Sequence, residues 1–236
     1  MFRGLARNPS VVHAVTTKNG PVFSKDAENT DGYTKLAEEM GFSSVAWTKQ
    51  VHSNHIVPVD TGGFAGEGDG LVTRSRDLLL LSRSADCPLV LVADGAGRAV
   101  GIAHVSWRGL IAGAAGNLVK AMAERCSCRP EDLFGCVCPS AGPGRFEVGQ
   151  EVYDAAVEAM GNAARYIFLD RDDTPETGKR QMNLWAGCSS QLMRAGIAFA
   201  NIFTANVCTI ENSDRFCSHR AEGESADRFV AVIGIK

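Results

Sequence analysis

Apolar residues follow two rhythms along this chain, short runs of neighbours and stretches with a spacing of three or four, and the two predict alternating strands and helices. Residues 11–16 read as a strand, and Thr30 or Asp31 caps a helix that runs through Met40 and stops at Gly41. Strands at 45–51 and 56–60 flank the turn residues Ser53-Asn54, and the glycines at 62, 63, 66, 68 and 70 predict a flexible loop. Strands follow at 71–73 and 78–82, and a hairpin pairs 88–93 with 99–105 around Asp94-Gly95-Ala96-Gly97. His104 falls at the end of its second strand.

Residues 108–125 place Leu110, Ile111, Ala114, Ala115, Leu118, Val119 and Met122 on one helical face. Gly109, Gly113 and Gly116 interrupt that helix, each lowering its intrinsic stability by about 1 kcal/mol relative to alanine, so another segment is expected to approach it closely. Beyond it the pattern predicts a strand at 133–138, a helix at 150–160, a strand at 166–169 and a charged loop at 170–179. A helix at 183–195 ending at Gly196, a strand near Ile202 and a last strand at 229–235 complete the chain. Strands and helices do not alternate strictly enough for a doubly wound parallel sheet, and the expected fold class is α+β with mixed sheets in one domain spanning 1–236.

Composition narrows the classes of function. The 236 residues are 45% apolar, enough for a full core, and the net charge of −3 provides no basic field for nucleic acid. The longest uncharged run, 195–210, contains Asn201 and Asn206 and is too short for a membrane span, while charge and Pro9 break the start before a signal-like segment forms. A cytoplasmic protein is the expectation, with its eight cysteines reduced.

Dinucleotide and phosphate loops, a nucleophile elbow and the His-x-Glu deaminase pattern are absent from the sequence. Cys126/Cys128 and Cys136/Cys138 are spaced too tightly for a usual four-thiolate zinc site and are expected not to enclose a metal. His52, Cys87 and His104 form a sharper set, because all three lie at strand edges, where a rigid scaffold offers side chains to a pocket. Two imidazoles and a thiolate suit a catalytic zinc with an open position; by spacing alone, a buried thiol with two hydrogen-bonded histidines is an equal reading.

The ordered segments Gln50-Val51-His52, Gly68-Asp69-Gly70-Leu71-Val72-Thr73, Ser84-Ala85-Asp86-Cys87-Pro88 and Ala103-His104-Val105-Ser106-Trp107-Arg108-Gly109 resemble the YfiH/laccase-domain family. Pro139-Ser140, Phe146-Glu147-Val148-Gly149, Cys208-Thr209 and Phe216-Cys217-Ser218-His219-Arg220 extend the resemblance to the C-terminal part of the chain. The family, long called polyphenol oxidases, is now described as purine nucleoside phosphorylases. The resemblance implies a compact α/β/β/α sandwich of mixed sheets, zinc held by His52, Cys87 and His104, and purine nucleoside and phosphate as partners. It implies cleavage of adenosine, inosine, guanosine or methylthioadenosine with phosphate, together with adenosine deamination. The chain departs from the family pattern at Lys18-Asn19-Gly20-Pro21, Asn183-Leu184-Trp185, Cys188 and Asp227-Arg228.

Arg108 and Arg220 are the candidate anion contacts for such a reaction, His219 the candidate proton carrier, and Asp86 the candidate for orienting a ligand. Trp107 and Phe146 are candidate apolar walls for a purine. Two rival readings use the same residues: a metal-free cysteine-nucleophile hydrolase built on Cys87 and a histidine, and a purine-binding module without turnover. Five histidines with no His-x-His pair are too few for blue-copper oxidase clusters, although copper can take the zinc position in vitro.

Overall fold

The computed structural model describes residues 5–24, 30–169 and 178–236. The first sheet is assembled from β1 (Val11–Val15), β2 (Ser44–Lys49), β4 (Gly63–Glu67), β6 (Leu78–Ser84) and β13 (Phe229–Ile235), in the spatial order β1-β13-β6-β2-β4. A second sheet runs β12-β9-β7-β8-β5-β3, from β3 (Ile56–Pro58), β5 (Gly70–Thr73), β7 (Leu89–Asp94), β8 (Val100–His104), β9 (Leu133–Val137) and β12 (Ile202–Thr204). Both are mixed: β2 runs parallel to β4 and β6 while β13 is antiparallel to its neighbours, and β3–β5 and β9–β12 are the parallel pairs of the second sheet.

Side-chain alternation sorts these strands into four layers. Leu80, Ala231 and Ile233 face Leu89, Leu91 and Ile102 to form the core between the sheets. Their sequence neighbours Leu79, Leu81, Val230 and Val232 point the other way and pack with Tyr33 and Leu36 of α1 (Thr30–Glu39). On the far side of the second sheet, Val72, Val90, Val92 and Ala103 meet α3 (Ala114–Cys126), α4 (Gln150–Met160) and α5 (Leu184–Arg194). The architecture is the expected α/β/β/α sandwich of mixed sheets. No helix among the described residues is long and apolar enough to cross a membrane.

Several local expectations change. The glycine-rich stretch holds β4 and the start of β5, and Gly62, Gly68 and Gly70 serve close packing: a Cβ on Gly70 would lie 2.8 Å from the Ile102 carbonyl oxygen, whereas Gly63 and Gly66 have open space around them and adopt left-handed φ values of 114° and 85°. The helix expected over 108–125 is two helices, α2 (Trp107–Ile111) and α3, broken where Gly113 takes a left-handed φ of 88°. Gln191 bridges the break, donating to the Leu110 carbonyl and accepting from Ala115 and Gly116 N–H groups at 3.2 and 3.4 Å. Gly109 provides the expected close approach, since a Cβ there would stand 2.8 Å from the Ser53 carbonyl oxygen.

The strand expected at 166–169 is reduced to a bridge between Phe168 and Met182, after a 3-10 helix at Gly161–Tyr166. A small ribbon of β10 (Glu147–Gly149) with β11 (Lys179–Gln181) was not legible in the pattern. Most of the expected charged loop, residues 170–177, lies outside the described residues. All eight cysteines are free. Cys126 and Cys128 pack on the helix side of the second sheet and Cys136 and Cys138 between the sheets, so the four thiols do not share one site.

Candidate metal centre

Strand register brings the three distant segments to one rim of the sandwich. β2 and β6 run parallel, so the loops after them, carrying His52 and Cys87, leave the first sheet at the same end. The side-chain amide of Gln50 ties these loops further, donating to the Arg83 carbonyl at 2.9 Å and accepting the Arg83 N–H at 3.1 Å. In the β7–β8 hairpin Leu89 pairs with His104, which sets His104 opposite the start of the strand that follows Cys87. His52, Cys87 and His104 each offer one ligand atom, and the three atoms lie within 4.8 Å of one another. His52 is exposed, Cys87 half-buried and His104 buried; the two imidazoles meet edge to face with centroids 5.2 Å apart.

Asp69, which sequence reading left without a role, organises this rim. β5 pairs with β8 so that Gly70 faces Ala103, and the Asp69 carboxylate, buried just before β5, accepts the His104 Nδ1 hydrogen bond at 2.9 Å. The same carboxylate accepts the backbone N–H groups of Val51, His52 and Ser53 at 3.2, 3.1 and 2.6 Å and the Ser53 hydroxyl at 2.8 Å. These bonds fold the turn in which His52 adopts a left-handed φ of 61°, uncommon for a residue with a Cβ. An aspartate between two glycines, directly before the apolar residues Leu71-Val72, is the sequence signal that could have marked it.

The electrostatics of the three side chains are mutual. Burial works against charge on the Cys87 thiol, but the His104 and His52 imidazoles outweigh it and bring the thiol down to about 7. Burial also opposes a charged His104; the Cys87 sulfur and the Asp69 carboxylate overcome that and lift the imidazole to about 9. The Asp69 carboxyl is itself held at about 2, burial being outweighed by hydrogen bonds from His104 and Ser53. Two nitrogen donors and a readily ionised sulfur, converging with one histidine oriented by a carboxylate, fit a transition-metal ion such as zinc.

Asp86 and the remaining candidates lie around this cluster. Asp86, at a φ of 95°, bonds its carboxylate to other elements: it accepts the Thr209 hydroxyl at 2.7 Å and the Arg220 N–H at 2.7 Å. Its carbonyl accepts the Ala141 N–H at 2.8 Å, which draws the Pro139-Ser140 and Cys208-Thr209 segments to the same loop. Arg220 lies in α6 (His219–Glu222), and its guanidinium donates to the Glu147 carbonyl at 2.9 Å and sits 5.3 Å from the Phe146 ring centroid. His219 is exposed and lies 3.9 Å from Glu224, apart from the three donor atoms. Arg108 is exposed in the first turn of α2, its guanidinium 4.1 Å from the Trp107 ring centroid. Trp107 and Phe146 both pack, partly buried, against the helix-side core. Asn183, a departure from the family pattern, caps α5 by accepting the Ala186 N–H at 2.9 Å.

Known proteins resemble the chain in both sequence and fold. It is 34% identical over 209 residues to a purine nucleoside phosphorylase of Xylella fastidiosa, covering 86% of this chain and 76% of that protein. The purine nucleoside phosphorylase YfiH of Escherichia coli is 30% identical over 183 residues, covering 76% and 70%. The crystal structure of YlmD from Geobacillus stearothermophilus superposes with a TM-score of 0.87 at 26% identity, covering 100% of this chain and 94% of that one. The family model described as multi-copper polyphenol oxidoreductase laccase matches residues 22–236, and the chain belongs to that family.

Proposed function

We propose that this chain is a zinc-dependent purine nucleoside phosphorylase acting on adenosine, inosine, guanosine or methylthioadenosine with phosphate, with adenosine deamination as a second activity. The observation that carries the reading is the convergence of His52, Cys87 and His104 within 4.8 Å on a rim organised by Asp69. The relatives named purine nucleoside phosphorylase supply the substrate class. Zinc held by these three side chains would supply a Lewis acid and a water acidified to near neutrality.

In phosphorolysis a phosphate oxygen bonds to the anomeric carbon as the bond to the purine nitrogen breaks. The electron pair leaves on the purine, which takes up a proton. The chain's own part is to hold the anion and manage that proton. Arg108, four residues after His104, and Arg220, whose backbone is tied to Asp86 beside Cys87, are the cations assigned to phosphate and to charge on the departing base. His219, at the start of α6, is assigned to proton transfer.

The acidified Cys87 thiol favours one alternative, a metal-free hydrolase in which this sulfur attacks an acyl group. The deciding experiment is product analysis of adenosine and inosine with and without phosphate, alongside metal quantitation on the same preparation. Ribose 1-phosphate and free base formed in proportion to bound zinc is the expected result. Activity undiminished after complete metal removal overturns the zinc reading.

A further inference from the structure

We infer that Asp69 is the positioning residue of the His52–Cys87–His104 centre, fixing both which His104 nitrogen faces the cluster and the turn that presents His52. The inference rests on the metal-centre reading given above.

The two carboxylate oxygens divide this work. Oδ1 accepts from His104 Nδ1 at 2.9 Å and from the His52 N–H at 3.1 Å. Oδ2 accepts from the Val51 and Ser53 N–H groups at 3.2 and 2.6 Å and from the Ser53 hydroxyl at 2.8 Å. All five contacts are donors, and the Asp69 side chain is fully buried. With the Nδ1 proton engaged by Asp69, the lone pair needed for a metal is left on Nε2, the nitrogen free to face Cys87. One group therefore sets the ligating state of His104 and the backbone of His52, although these residues are 52 positions apart in sequence.

Asparagine cannot take over both tasks, since it has one carbonyl oxygen and an amide that only donates. If the carbonyl keeps Val51 and Ser53, the amide faces His104 Nδ1, so that nitrogen must accept and the ring proton moves to Nε2. If the carbonyl keeps His104, the amide faces the donors of the turn and the His52 loop opens. Either orientation removes one ligand from its productive state.

The test measures zinc affinity by chelator competition for wild type, Asp69→Asn and Ser53→Ala, with folding checked by circular dichroism. Asp69→Asn is expected to bind zinc about 10–100-fold more weakly. Ser53→Ala, which leaves the His104 contact in place, is expected to lose less. Histidine ¹⁵N NMR of the zinc-loaded wild type should show His104 protonated at Nδ1. This measurement decides the question even if Asp69→Asn does not fold. A folded Asp69→Asn with wild-type zinc affinity, or a zinc-loaded wild type with the His104 proton on Nε2, overturns the inference. If zinc binds with the expected tautomer but no nucleoside is cleaved, the positioning role stands and the phosphorylase reading falls.

Discussion

Two buried aspartates stand on the same rim of the sandwich and do different work. Asp69 touches one histidine of the His52–Cys87–His104 cluster directly and shapes the backbone of the other, so its carboxylate acts on the cluster itself. Asp86 is adjacent in sequence to Cys87, yet its carboxylate bonds to Thr209 and the backbone of Arg220. Proximity in sequence is thus a poor guide to which carboxylate touches the cluster; what matters is which groups it bonds. Asp86, in a left-handed backbone conformation at a φ of 95°, fastens α6 through the Arg220 N–H, while the Cys87 thiol is tuned by the imidazoles.

The contrast can be broken or sharpened by substitution. The largest effect is expected from Cys87→Ala: losing the soft, anionic donor should release zinc and abolish both inosine phosphorolysis and adenosine deamination. Full turnover by a metal-free Cys87→Ala protein would refute the zinc mechanism. Next, Arg108→Ala should keep its zinc while kcat/KM falls roughly 10²–10³-fold, the usual cost of losing a donor to developing negative charge. Arg220→Ala, on the Asp86 side, should raise the KM for phosphate at unchanged metal content.

The direct comparison is Asp69→Asn with Asp86→Asn. The first should weaken zinc binding about 10–100-fold, and the second should leave it within about threefold of wild type while lowering the melting temperature. Equal losses of affinity would erase the distinction between the two carboxylates. The smallest effect is expected from Thr209→Val, which removes one donor to Asp86 and should cost about 1–3 kcal/mol in denaturant unfolding, with no change in zinc affinity.

How much of this was legible in the sequence depended on the range of the interactions. Local signals worked: α4 occupies Gln150–Met160 and β13 Phe229–Ile235, the spans their apolar periodicity predicts. Glycine was misread because its role was set by remote neighbours. Gly62, Gly68 and Gly70 allow neighbouring segments to approach, as the short distance from Gly70 to the Ile102 carbonyl illustrates, and the pattern alone presents them as a loop. The short β10 and β11 are fixed by each other rather than by any periodicity of their own. His52, Cys87 and His104 stand out by their strand-edge positions, but separations of 35 and 17 residues carry no local metal signature, so it is the ordered motifs that favour a metal set over a buried thiol with two histidines. Asp69 stayed hidden because its role consists of bonds to residues 16 to 35 positions away.

The placement of the centre has a mechanical side. His52 follows a strand of one sheet, His104 ends a strand of the other, and Cys87 sits on the crossing between them. An ion shared by these residues would act as a rivet through the seam of the sandwich, resisting the separation of its two halves. Ligand binding restricted to the folded form stabilises it by RT ln(1 + [L]/Kd), about 2.7 kcal/mol at a hundredfold excess over Kd. Stripping the ion would therefore slacken the seam, and amide exchange in β6 and β8 should quicken together while α1, on the outer face of the first sheet, is least affected.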